Sequence, residues 1–201
     1  DACVMKSDYV LKKLEWFGDG IKRAEEIAPY IFDFSEPCAW NKFYRTSFIK
    51  KSGIEFMSLK STNDLFFSYM TLVQAERICV CKKQFLYYRI NNSKSLQGSS
   101  GMSSTDFFLA IKKLKNGLFD CHVLKKFETS FYNMALGTCY YNFCRRKEEK
   151  EFKQFYDAIH GYMLQDLQME GYIPNEYTDK YIYYEMHKVM NLNYDDYIEF
   201  E

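Results

Sequence analysis

An α+β fold, mainly helical, is what this sequence predicts: short strands and helices over residues 1–97, then a helical bundle over 98–201. Three observations carry it. Short apolar runs bounded by turn residues read as strands in the first half. Beyond residue 103 the apolar positions recur at helical intervals almost without a break. Between the two lies a Ser/Gly connection, Gln97-Gly98-Ser99-Ser100-Gly101, where we place the domain boundary.

Taken in order, residues 2–5 read as a short strand. Residues 19–31 carry Ile21, Ala24, Ile27, Ala28 and Ile31 at helical spacing and predict an amphipathic helix, and Pro37 breaks the chain beyond it. Residues 44–51 predict a short helix stopped by Gly53, whose tolerance of positive φ suits a helix C-terminus. A helix over 62–75 comes next, then a strand over 77–81 and a second extended segment over 85–90. Asn91-Asn92-Ser93 is a strong turn signal.

In the second half, Ser103 and Asp106 offer a capping box ahead of Phe107, Ile111, Leu114 and Leu118, which fall on one helical face. Leu124, Phe127, Phe131 and Met134 begin a second helix, apolar nearly all round, that ends at Arg145-Arg146-Lys147. Phe152, Phe155, Tyr156, Ile159, Tyr162, Met163 and Leu167 form a third stripe. Pro174 marks a turn, and a fourth helix covers about 178–190 ahead of a polar tail. No internal repeat of fixed period is present.

A chain of 201 residues can bury one good core or two small ones. Its 47% hydrophobic and 27% charged residues are those of an ordinary folded protein. Lys+Arg and Asp+Glu both number 27, so no long-range field favours nucleic acid, and nucleic-acid binding is excluded as a primary reading. A local basic patch survives that balance. Aromatics reach 19%, with 18 Tyr and 18 Phe. Composition alone favours AT-rich codons as the cause; platforms for the apolar faces of sugar rings are the sharper explanation.

Seven cysteines, odd in number and scattered through apolar segments, lack the density of a disulfide framework. Cys79-Val80-Cys81 puts two sulfurs on one face of a predicted strand, but no second pair or His stands at zinc-ligand spacing. We expect a reducing cytoplasm and no structural metal. No run approaches the roughly 20 apolar residues of a membrane span, and no signal-peptide pattern is present. The chain opens on Asp1 without an initiator Met, which we read as a piece of something longer.

Three blocks of the first half belong together: Pro37-Cys38-Ala39-Trp40-Asn41-Lys42-Phe43-Tyr44-Arg45, Asn63-Asp64-Leu65-Phe66-Phe67, and Phe85-Leu86-Tyr87-Tyr88-Arg89-Ile90. Their order and spacing resemble the acceptor-side half of family 2 nucleotide-sugar glycosyltransferases, which have the GT-A fold. The resemblance covers about residues 1–97 and implies a partial GT-A-like α/β segment ahead of the bundle. It also implies that the nucleotide-binding half, with its D-x-D metal motif, lies upstream. On that reading this chain holds no cofactor, Mg²⁺ or Mn²⁺ belongs to the full-length protein, and the isolated chain is expected to be inactive. The partners implied are a nucleotide-sugar donor and a glycan or lipid-linked acceptor. Polysaccharide or glycolipid assembly in a bacterium, at the inner face of the cell membrane, is the setting it suggests.

Carried over residue by residue, the resemblance makes Asp64 the general base that takes the acceptor hydroxyl's proton, an effect worth typically 10²–10⁴-fold. The family's Glu-Asp pair is Asn63-Asp64 here, so the acid before the base is replaced. The competing reading of Ser61-Thr62-Asn63-Asp64 is a capping box that only stabilises a helix start. Asn41 offers a donor and an acceptor to sugar hydroxyls, and Lys42 a positive charge for pyrophosphate or an acceptor carboxylate; Trp40 reads better as a core anchor. Alternation places Tyr87 and Arg89 on one face, where Arg89 can grip pyrophosphate or simply cover apolar surface. The metal-binding His common near this position is absent. His122, His160 and His187 lack partners at useful spacing, and Asp195-Asp196 sits in the tail where no strand end presents it.

Two other classes remain open. Residues 103–190 would serve as a helical docking platform for a partner protein, or the Arg145-Arg146-Lys147 end as a peripheral membrane contact.

Overall fold

The computed structural model describes residues 15–81, 83, 105–145, 149–169 and 172–200. These residues are mainly helical, as expected, and contain no strand. The expected strands over 2–5 and 85–90, the turn at 91–93 and the Ser/Gly connection lie outside the described residues. The expected strand over 77–81 does not form. Residue 78 makes only one antiparallel bridge, in which Lys22 and Ile78 exchange N–H···O bonds of 2.8 Å in both directions. No neighbouring described segment extends that ladder, so the described residues hold no GT-A-like sheet.

The same bridge explains a second departure. Only Ala24–Tyr30 of the expected helix over 19–31 is helical, and it is 3₁₀. Gly18 and Gly20, at φ of +68° and +90°, turn the chain ahead of it, and Lys22 is drawn off to Ile78. Pro29 inside the segment brings no N–H to an α-type ladder. The apolar stripe still works: Ala24, Ile27, Ala28 and Ile31 are buried, while Ile21 points outward.

Seven α-helices come next among the described residues: α1 Thr46–Ser52, α2 Leu65–Gln74, α3 Asp106–Asp120, α4 Leu124–Cys144, α5 from Glu149 through Leu167, α6 Lys180–Asn191 and α7 Tyr194–Phe200. Gly53 ends α1 in the left-handed conformation at φ +65°. α5 carries a π-helical turn at Ile159–Met163. The polar sequence of α7 does not predict a helix; Asn193 and Asp196 cap its start reciprocally.

α4 is the centre of the molecule. Its buried residues face the 24–30 turn, α3 and α6, which accounts for its nearly all-round apolar pattern. Gly117 of α3 lets that helix close on α2: a Cβ there would lie 3.1 Å from Phe66 and 3.2 Å from the Met70 sulfur. The far end is aromatic, with Phe143 of α4 against Phe152 of α5 and Tyr156 of α5 against Tyr197 of α7. One contiguous apolar core joins residues 17–78 to the later helices. No helix among the described residues is long and apolar enough to cross a membrane.

Candidate functional site

Asp64 enters α2 as its N-cap residue, yet its side chain makes no cap bond to the helix. The capping-box alternative is therefore not realised. The Asp64 carbonyl accepts the Ser68 N–H at 2.8 Å as the first bond of the helix. The carboxylate turns away and is half-buried. Burial raises its pKa above the usual carboxylate value, while the amides of Asp64 and Ala39 and the charge of Lys42 hold it back.

The loop that delivers Asp64 is fixed at several points. Ile54 is buried, and Phe56 stacks on Phe67 of α2 with ring centroids 4.1 Å apart. The Met57 N–H donates to the Asn63 carbonyl at 3.1 Å. From the other half of the chain, Asp106 Oδ2 accepts the N–H groups of Lys60 and Ser61 at 3.1 and 3.0 Å. Asp106 was expected to cap its own helix with Ser103, which lies outside the described residues; its carboxylate serves this loop. Thr62 sits at φ +56°, a conformation that crowds a β-branched side chain, two residues before Asp64.

The Trp40-Asn41-Lys42 block reaches the same place through a short 3₁₀ turn, Ala39–Asn41. Lys42 Nζ donates to the carbonyls of Glu36 (2.6 Å) and Cys38 (3.0 Å) and to Asn41 Oδ1 (2.8 Å). An ammonium has three N–H donors, so all are taken by residues 36–41 just before it. Burial pulls the Lys42 pKa down to about 8, against the opposing influence of Cys38, Glu36 and Asp64. The neighbouring Cys38 thiol is pushed up to about 11, again mainly by burial. Lys42 thus acts here as a field and a brace.

Trp40 is not a core residue; it is 52% exposed at the rim. Trp40, Asn41, Lys42, Asn63 and Asp64 line one cleft, so the structure brings five of the seven predicted site residues together. Tyr87 and Arg89 lie outside the described residues. His122, His160 and His187 are exposed and away from the cleft. Asp195 and Asp196 occupy the first turn of α7.

Sequence reasoning missed Tyr44, Ser68 and Thr71. The Tyr44 and Ser68 hydroxyls are buried, and Thr71 lies beside them. Burial raises the Tyr44 pKa, with the Ser68 and Thr71 hydroxyls opposing it. Tyr44 and Thr71 line the cleft with Asp64. The only trace of this in the sequence is polar residues inside an apolar helix, a weak signal.

Comparison with protein-family models, curated proteins and solved structures found no match.

Proposed function

We propose that these residues form the acceptor side of a sugar-transfer site, with the Asp64 carboxylate as general base toward the acceptor hydroxyl. The observation that carries the reading is the setting of Asp64: a half-buried carboxylate, relieved of helix capping, in a cleft it shares with Trp40, Asn41, Lys42 and Asn63.

On this reading the acceptor sugar lies in the cleft with one hydroxyl within about 2.6–3.2 Å of the Asp64 carboxylate. The carboxylate removes the proton as that oxygen attacks the anomeric carbon of a nucleotide-sugar, and the nucleoside diphosphate leaves with the bonding pair. Partial burial makes Asp64 a better proton acceptor than a solvated carboxylate. The backbone amides of Asp64 and Ala39 and the Lys42 charge oppose the rise in its pKa and favour the ionised form. Asn41, whose Oδ1 is engaged by Lys42, has its amide N–H groups to offer a sugar oxygen. Trp40 offers an exposed ring face to the apolar side of a pyranose.

On this reading the nucleotide-binding half lies N-terminal to these residues and carries the divalent metal. Among the described residues, no three of His, Cys, Asp and Glu come together at one point.

The test replaces Asp64 by Asn in the complete polypeptide. Sugar transfer should fall 10²–10⁴-fold while donor affinity and fold persist. Because folding raises the Asp64 pKa, ionisation of this group opposes folding: the cost is absent at low pH and appears as pH rises through the carboxylate range. Relative to the parent chain, Asp64→Asn should therefore be more stable at pH 7 than at pH 3. Transfer that survives the substitution would remove Asp64 from the chemistry.

A further inference from the structure

The cleft does not stop at Asp64. It continues along α4 to the turn before α6, and that arm is built differently. Asn133, Gly137 and Tyr140 of α4 fall within two turns on one face, and all three line it. Gly137 is in the middle of a 21-residue helix, where glycine costs about 1 kcal/mol relative to alanine. A Cβ built there meets nothing within 4 Å. The glycine therefore serves no close helix packing, unlike Gly117, and leaves room above the helix.

Asn133, one turn earlier, is 8% exposed. Its Oδ1 accepts the hydroxyls of Tyr172 and Thr178. Its amide nitrogen is buried and forms no hydrogen bond. Exchanging the amide oxygen and nitrogen would leave the oxygen without a donor at that same point, so one strong polar atom stays unmatched in either orientation. A buried group of this kind costs about 1–3 kcal/mol unless something pairs with it.

The walls are aromatic. Trp16 meets Tyr177 edge-on at 5.4 Å and Tyr30 at 6.2 Å, and both Trp16 and Tyr177 line the arm. Among the described residues, the lining drawn from α4, the turn at 172–179 and α6 includes Glu176 and Asp179 but no Lys or Arg. That sign of charge disfavours a phosphate or a nucleotide. Aromatic faces, a neutral amide at the base and an anionic rim suit an uncharged ring bearing hydroxyl groups.

We propose that the arm bounded by Trp16, Asn133, Gly137 and Tyr177 is a binding subsite for one unit of a neutral oligosaccharide. The sugar's apolar face lies along the aromatic wall, the space over Gly137 takes its edge, and binding opens the Asn133 amide nitrogen, closed to solvent in the free chain, to a ring hydroxyl. The subsite is separate from the proton-transfer position and stands on its own observations, whatever Asp64 does.

The test is isothermal titration calorimetry of the chain with cellotetraose, maltotetraose and chitotetraose, with UDP alongside. At least one oligosaccharide should bind and UDP should not bind in this arm. Gly137→Met fills the space while improving helix propensity, so it should weaken that binding at least tenfold with no loss of thermal stability. Trp16→Ala, at the rim, should weaken it likewise. No binding by any of the three, unchanged binding in Gly137→Met, or UDP binding that Gly137→Met abolishes would each overturn the proposal.

Discussion

Asp106, the first residue of α3, holds Ser61 by both its backbone N–H (3.0 Å) and its hydroxyl (3.4 Å), across 45 residues of sequence. The same carboxylate oxygen takes the Lys60 N–H. A helix start in the second half of the chain thereby fixes the loop that positions Asp64. Hydrogen bonds to a charged acceptor contribute about 1.5–3 kcal/mol each when well formed, and the partial exposure here puts the pair nearer the lower figure. Asp106→Ala should lower stability by about 1–2 kcal/mol in urea denaturation. On the transferase reading it should also lower kcat more than it weakens acceptor binding. A variant of unchanged stability would show that the loop holds itself.

Lys42 makes stability depend on alkaline pH with a definite sign. Its pKa is about 8 in the folded chain against 10.5 as the ordinary value. Between those values the unfolded chain binds more protons, so stability rises with pH. Below pH 8 the ammonium is charged in both states and the burial penalty is fully present. The neighbouring Cys38 titrates in the opposite sense, so the comparison belongs in a Cys38→Ala background. There, the stability of the Lys42 protein minus that of Lys42→Met should be flat below pH 7 and grow from pH 8 to 10. A flat difference throughout would mean that the ammonium is solvated.

Thr62 is held in the left-handed region, which costs an L-residue roughly 1–2 kcal/mol. Glycine removes that cost and loses about 0.5–1 kcal/mol to unfolded-chain entropy. Thr62→Gly should therefore raise stability by up to about 1 kcal/mol. If the strained turn is what aims Asp64, the same change lowers transfer activity while the protein becomes more stable. A loss of stability would show that the Thr62 side chain makes a contact that outweighs its backbone cost.

Helix existence was legible in the second half of the chain, where the apolar stripes run long. Phe107, Ile111, Leu114 and Leu118 are all buried, as their spacing required, and Gly53 ends its helix as its backbone freedom predicts. Periodicity failed where one long-range pairing decided the matter. Nothing local reveals that Lys22 leaves its helix for Ile78, or that the apparent strand over 77–81 has no other described partner. The roles of carboxylates were least legible. Asp64 and Asp106 both look like helix caps in sequence, yet one faces a cleft and the other braces a distant loop. A capping motif states which groups can pair, and only packing states which do. α7 was lost for a related reason, since its short polar sequence is stabilised by Tyr197 against the aromatic end of the core.

Two of the glycines within helices, Gly117 and Gly137, make opposite demands. Gly137 has open space at its Cβ position, whereas Gly117 faces Phe66 and Met70 at 3.1–3.2 Å. Replacing either by Ala gains helix propensity of about 1 kcal/mol. At Gly137 nothing opposes that gain, so Gly137→Ala should stabilise the chain by about 0.5–1 kcal/mol. At Gly117 the new methyl must displace a Phe ring and a Met thioether, and overpacking typically costs about 1–3 kcal/mol. Gly117→Ala should therefore be neutral to destabilising, and Gly117→Val clearly destabilising, because α2 and α3 would have to separate. Urea midpoints of the three variants read this directly. A stabilised Gly117→Ala would mean that Met70 yields at no cost, and that the approach of these two helices tolerates a wider spacing.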